Sequence, residues 1–262
     1  GRATSIDGVH WTRDPSNPVI GAGLEVPLDA DALRIFAQKV SPVSGYQVSG
    51  EVSGDVAALA FEGTIYENSA SPVGFLVVGG QALGRGPAGS YDRDGAGAAS
   101  RIEGTDFIVY EGWQGSRVRL ALADDLGAGA RRLRSLPGAG WTGALAGLNG
   151  EAPTLPLRSP DAQPTADGVA VAFSTTAGIA LGRLTQTDGV PTGIEPLQQG
   201  VVLAAGGEDA FDGGVIEAPS LLLDGHDGQV RLAYAGARST LFAIGIATAP
   251  SLGDAFARPA VA

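Results

Sequence analysis

The sequence predicts an all-β protein, a five-bladed β-propeller with about four antiparallel strands per blade, formed by residues 1–262 as one domain. Two observations carry this. A hairpin pattern recurs along the chain: a short strand, a turn carrying Asp-Gly or Gly, then a second strand. Ahead of four of its copies stands an apolar strand ending in an aromatic residue, Phe61, Tyr110, Phe173 or Tyr234. These anchors recur at intervals of roughly 50 to 60 residues, and a period of that order with several short strands in it is the pattern of propeller blades.

The hairpin is sharpest at the start. Gly1-Arg2-Ala3-Thr4-Ser5-Ile6-Asp7-Gly8-Val9 returns as Gly182-Arg183-Leu184-Thr185-Gln186-Thr187-Asp188-Gly189-Val190, with looser copies at 245–253, 118–127 and 73–80. Asp-Gly suits the tight turn because Asp tolerates, and Gly favours, positive φ. The aromatic strands are expected at 57–63, 107–112, 169–174 and 230–236. One further strand precedes each of them. Ile216-Glu217-Ala218-Pro219-Ser220-Leu221-Leu222-Leu223 is the clearest, closed by Asp224-Gly225-His226-Asp227-Gly228. Its counterparts are expected at 96–102 and 152–157, with 40–48 the poorest match.

Each repeat then runs inner strand, aromatic strand, Gly-rich strand, outer strand, and the last repeat has its own outer strand at 255–261. The opening hairpin lacks inner and aromatic strands, so the first blade is expected to be incomplete or to begin upstream of Gly1. Residues 29–38, with Asp29 as a cap and Leu33, Ile35 and Phe36 apolar, read as a short helical turn or as the strand entering the second blade. Residues 159–167, with Pro160 and Pro164, read as a polar loop.

Composition agrees with this plan. Hydrophobic residues make up 44% of the chain but aromatics only 6%, so the core must come from Ala, Val, Leu and Ile. A sheet buried on both faces needs small residues in its middle. The net charge of −11 repels phosphate backbones and argues against a nucleic-acid partner. The absence of Cys excludes disulfides and thiolate metal sites. No apolar run is long enough to span a bilayer, and no signal peptide is visible. The chain does not begin with Met, which a removed leader or a start partway along would explain. A secreted or cell-surface location is expected, periplasmic and lipid-anchored forms included.

Two stretches resemble a known family. One is residues 1–20, with Ala3-Thr4-Ser5, Asp7-Gly8, Trp11, Arg13, Pro15 and Asn17-Pro18-Val19-Ile20. The other is Phe211-Asp212-Gly213-Gly214-Val215-Ile216-Glu217-Ala218-Pro219, running on to Leu232-Ala233-Tyr234-Ala235-Gly236. Both resemble the blade repeat of five-bladed propellers related to family-43 and family-32 glycoside hydrolases. In those enzymes, inner strands of successive blades carry two aspartates and a glutamate into the mouth of the central channel. An inverting hydrolysis needs a protonated carboxyl at the leaving oxygen and a carboxylate activating water, about 6.5–9.5 Å apart.

The resemblance implies Glu217 as general acid and Asp212 as an inner-strand aspartate. Tyr91-Asp92-Arg93-Asp94-Gly95 aligns with Phe211-Asp212-Gly213-Gly214, which adds Asp92 and Asp94, and Glu151-Ala152-Pro153 echoes Glu217-Ala218-Pro219. Thr12-Arg13-Asp14-Pro15 is similar to the Arg-Asp-Pro triplet of the family-32 enzymes, but its setting is that of the outer-strand repeat. The chain departs from the family in two ways. The enzymes carry their first Asp near the N-terminus, and their general acid sits in a middle blade rather than the last.

Two functions follow as expectations. One is a binding or structural propeller for a glycan or a protein. The other is a glycoside hydrolase with Glu217 as acid and Asp212, Asp92 or Asp94 as partners. Glu151, Trp113 and Trp141 are the substrate-binding candidates. Both tryptophans are placed in loops, where an exposed ring would stack on a sugar and a buried one would fill a gap between blades, the expected case. His10 and His226 read as surface residues, not a zinc site or triad. Asp209, Asp224 and Asp227 offer oxygens to Ca²⁺ but lack EF-hand spacing, so no cofactor or metal is implied.

Overall fold

The computed structural model describes residues 3–4, 10, 12–13, 15, 61–66, 72–78, 81–83, 86–125, 130–223, 228–238 and 242–258. Its strands are β1 (Ala3–Thr4), β2 (Thr12–Arg13), β3 (Phe61–Tyr66), β4 (Pro72–Val78), β5 (Gln81–Leu83), β6 (Gly95–Arg101), β7 (Phe107–Gln114), β8 (Arg117–Asp125) and β9 (Ala130–Ser135). They continue as β10 (Arg158–Thr165), β11 (Gly168–Thr175), β12 (Gly178–Thr187), β13 (Val190–Pro196), β14 (Val215–Leu222), β15 (Val230–Ala237) and β16 (Phe242–Ala249). A 3₁₀ helix, Gly143–Leu148, lies between β9 and β10.

The fold is the expected five-bladed β-propeller. β1–β2 belong to blade 1, β3–β5 to blade 2, β6–β9 to blade 3, β10–β13 to blade 4 and β14–β16 to blade 5, each an antiparallel meander. One parallel bridge, Gly74↔Gly95, joins blades 2 and 3. In blade 5 the outermost ladder is the bridge Thr248↔Ala257. The turn between β12 and β13 has positive φ at Asp188 (52°) and Gly189 (78°), the geometry Asp-Gly was expected to supply.

Tyr110, Phe173 and Tyr234 lie on the second strands of blades 3, 4 and 5, and their alternation assigns the faces. Tyr110 sits with Ala96, Ala99, Ala121 and Ala123 on one side of blade 3, while Val109, Leu120 and Leu122 face the other way. Those three pack against Val169, Val171 and Phe173 of blade 4. Ala170 and Ala172, one residue out of phase, point to blade 5 and meet Leu232, Tyr234 and Ala247. Period two therefore divides blades 3 and 4 between opposite faces. Phe173 and Tyr234 fill the interface toward the preceding blade, where Ala170 and Ala172 let the sheets of blades 4 and 5 approach.

One strand lies where a loop was expected. The inner strand of blade 4 is Arg158–Thr165, not 152–157, so the supposed polar loop at 159–167 is strand and tight hairpin. This strand packs on β6 and β14 instead of on an apolar layer, so its polar side chains bond to other inner strands. Pro160 falls inside a bulge and Pro164 opposite Val169 near the hairpin end, positions where an inner edge tolerates a missing N–H. The segments 29–38 and 40–48 and the turn at Asp7-Gly8 lie outside the described residues.

Candidate functional site

The site is built on three bulges. In β6 the register passes from Gly97↔Glu111 to Ala99↔Tyr110, in β10 from Arg158↔Ser174 to Asp161↔Ala172, and in β14 from Glu217↔Ala235 to Ser220↔Ala233. Each inner strand thus carries one extra residue, at positive φ in Ser159 (50°) and Ala218 (49°). A bulge re-aims the side chains beside it. Gly97, Arg158 and Glu217 each lie opposite the residue that follows an aromatic anchor, so they are equivalent positions in blades 3, 4 and 5.

The three inner strands are stapled together. Ser100 Oγ donates to Asp161 Oδ1 at 3.5 Å and accepts from the Ala162 N–H at 2.9 Å, and the Leu221 N–H donates to Asp161 Oδ2. Glu111, buried, accepts from the Ser159 N–H at 2.6 Å and from Trp113 Nε1 at 2.9 Å. The bulge that presents Arg158 is therefore held by a carboxylate of the blade before it. A Cβ on Gly97 would lie 2.8 Å from the Trp113 ring, so in blade 3 that ring occupies the space a side chain takes in the others.

Arg158 and Glu217 line one cavity of about 310 Å³ between blades 4 and 5. Ser174, Thr175 and Thr176 form part of its wall, from the end of β11 and the turn that follows. Arg158 is exposed and Glu217 half-buried. Among the described residues neither side chain has a hydrogen-bond or ion-pair partner.

The aspartates are placed differently. Asp92 and Asp212 are fully buried equivalents in blades 3 and 5, each in the loop leading to an inner strand. In both loops a glycine N–H six residues earlier closes on the Asp carbonyl, Gly86 at 2.8 Å and Gly206 at 3.1 Å. A Cβ at either glycine would collide with the Asp carboxylate, which explains the glycine. Asp92 Oδ2 accepts from Tyr110 Oη at 3.0 Å and from Arg132 Nε. Asp212 Oδ2 accepts from Tyr234 Oη at 2.7 Å and from Arg258 Nε at 2.8 Å, and Arg258 Nη2 forms an ion pair with it at 2.7 Å.

The result is one Asp–Tyr–Arg cluster used twice. Burial pushes the Asp212 carboxyl up, but the Tyr234 and Arg258 hydrogen bonds and the Arg258 charge outweigh it and hold it below the usual range. Burial, and the bond to Asp212, push the Tyr234 hydroxyl up to about 12. Burial likewise raises Tyr110, helped by Tyr91 and Asp92. Blade 4 lacks the cluster: Phe173 has no hydroxyl, Pro153 stands five residues before Arg158 where blades 3 and 5 have Asp, and Trp141 meets the Phe173 ring edge-on at 5.7 Å.

The other candidates lie apart from the cavity. Asp94 accepts from Arg93 Nε at 3.3 Å and from the Gly115 N–H at 2.5 Å. Glu151 is exposed and accepts from Ser135 Oγ, and its carbonyl accepts from Arg119. Trp141 is buried in the expected loop. Trp113 is half-buried on strand β7, not in a loop, because its Nε1 and ring are needed by Glu111 and Gly97. Asp209 is paired with Arg238 at 3.4 Å, and Asp224, Asp227 and His226 lie outside the described residues. Among the described residues no three His, Asp or Glu side chains gather as for a metal.

Arg158 was the residue sequence reasoning missed. Placing the blade-4 inner strand at 152–157 put Arg158 beyond its end. Its signal is the offset from the anchor: Phe173 lies 15 positions after Arg158, and Tyr234 lies 17 after Glu217.

No protein-family model and no curated protein sequence matches the chain. Solved structures do. A thermostable family-43 glycoside hydrolase is 12% identical with TM-score 0.50, over 84% of this chain and 74% of that one. The Bacillus subtilis arabinanase Arb43A is 13% identical with TM-score 0.50, over 82% of this chain and 78% of that one. The fold is that of the family-43 five-bladed propellers. Among the described residues no helix is long and apolar enough to cross a membrane.

Proposed function

We propose that this propeller binds a glycan in the cavity between blades 4 and 5. The observation that carries the reading is the pair Arg158 and Glu217: equivalent bulge-flanking residues of adjacent inner strands, both without a partner among the described residues, in one cavity with three hydroxyl side chains. Arg158, Glu217 and the exposed Thr176 offer donors and acceptors to sugar hydroxyls, while Ser174 and Thr175 already donate to the Arg158 and Gly178 carbonyls. Proteins that share the fold include an arabinanase, which acts on a glycan. Asp92 and Asp212 serve in this reading as internal struts, since each already holds a tyrosine and an arginine. A panel of oligosaccharides titrated calorimetrically against the wild type and Glu217→Gln tests it. Binding weakened by the substitution supports the reading, and no binding by any member of the panel overturns it.

A second reading is hydrolysis, and one observation favours it. Glu217, the resemblance's general acid, is the one carboxylate among the equivalent positions Gly97, Arg158 and Glu217, and it has no partner among the described residues. A general acid needs that freedom to exchange its proton. Release of aryl alcohol from aryl arabinosides and xylosides, abolished by Glu217→Gln with folding intact, supports this activity. Equal rates for the two proteins would remove it.

A further inference from the structure

We infer that the cavity between blades 4 and 5 selects a glycan bearing a carboxylate, a uronate-type sugar, through Arg158; this rests on the glycan-binding reading above. Arg158 takes the place that is Gly97 in blade 3 and Glu217 in blade 5, so a cation stands where the repeat requires no charge. The fold does not need it: its side chain makes no hydrogen bond or ion pair with any described residue. The same bulge is secured by its backbone, through the Ser159 N–H on Glu111 and through Ser174 Oγ, which donates to the Arg158 carbonyl at 3.2 Å. Six described arginines are matched to carboxylates, Arg131 to Asp124 and Arg258 to Asp212 among them. An arginine held on a bulge without such a match is open to a ligand anion.

The chemistry narrows the ligand. A guanidinium presents a planar fork of donors that fits a carboxylate with two parallel hydrogen bonds. Glu217 in the same cavity opposes a second anion nearby and accepts hydrogen bonds from hydroxyls. A sugar with one carboxylate and several hydroxyls satisfies both residues. The repulsion of the acidic surface does not reach far, because charges separated by more than about 8 Å are largely screened at physiological salt.

Trigalacturonate and its fully methyl-esterified form are the probes, since they share a shape and differ in charge. We expect the acid to bind wild-type protein about tenfold or more tightly than the ester, the effect of a charged hydrogen-bonded pair. Arg158→Gln should remove that difference with an unchanged melting temperature, and Arg158→Lys should restore only part of it. Equal binding of acid and ester, or undiminished acid binding by Arg158→Gln, overturns the inference. If the ester or a neutral oligosaccharide still binds in that case, the glycan-binding reading survives alone. If no sugar binds at all, both fall.

Discussion

Ser90 Oγ donates a 2.9 Å hydrogen bond to Asp92 Oδ1, a bond that the equivalent residue of blade 5, Ala210, cannot make. Asp212 Oδ1 is accordingly buried with no hydrogen-bond partner among the described residues. The two loops share their backbone bonds, with the Ser90 N–H on the Pro87 carbonyl (3.0 Å) and the Ala210 N–H on the Gly207 carbonyl (2.9 Å). At Oδ1 itself the difference is one hydroxyl.

Ala210→Ser should therefore stabilise the protein. The Cβ is already present, and only the missing donor is added to an unsatisfied buried oxygen. The expected gain is about 1 kcal/mol, with a loss of similar size for Ser90→Ala. Denaturant unfolding of both variants measures it. A destabilised Ala210→Ser would mean the two loops are not equivalent at this atom.

Acid should act through Asp212. Its carboxyl titrates lower in the folded chain than in the unfolded one, so protons bind the unfolded state more readily. Its contribution is fully present above the unfolded pKa of about 4 and is lost as pH falls through the lower, folded value. Asp212→Asn should flatten the stability–pH curve in that acid window. A slope identical to wild type would show that Arg258 and Tyr234 do not hold the carboxylate ionised.

Tyrosine and phenylalanine should not exchange freely between blades. Tyr234→Phe leaves the Asp212 carboxylate one donor short and should cost about 1–3 kcal/mol. Phe173→Tyr in blade 4 buries a hydroxyl where Pro153 replaces the acceptor, with a cost of similar size. Melting temperatures of the two variants check this, and a neutral Phe173→Tyr would require an acceptor near that ring.

Glu217→Gln is expected to separate binding from folding. Glu217 has no partner among the described residues, so thermal stability should stay within about 0.5 kcal/mol of wild type, as for other unpartnered surface positions. A large loss of stability would move Glu217 from the ligand site to the scaffold.

The repeat was legible because it is written in local chemistry. Asp188-Gly189 can only be a tight turn, and Tyr110, Phe173 and Tyr234 stand at the ends of apolar runs too short for anything but strands. The inner strand of blade 4 was not legible, because Ser159-Pro160-Asp161 violates strand propensity. It is a strand only because Glu111, Ser100 and the Leu221 N–H, up to some 60 residues away in sequence, satisfy its polar groups. Asp92 and Asp212 were visible as aligned residues, but not that a tyrosine and an arginine reach each of them from 18 to 46 positions further along the chain.

The sequence by itself determined the all-β architecture, the succession of strands within most repeats and the aromatic anchors, since these depend on turn residues and period-two patterning within a dozen positions. Only the tertiary structure decided which charged side chains are already satisfied and which are left facing a cavity. Whether an aspartate is a strut or an arginine is free depends on partners brought in from distant strands, and pairing across blades leaves no mark on the local sequence.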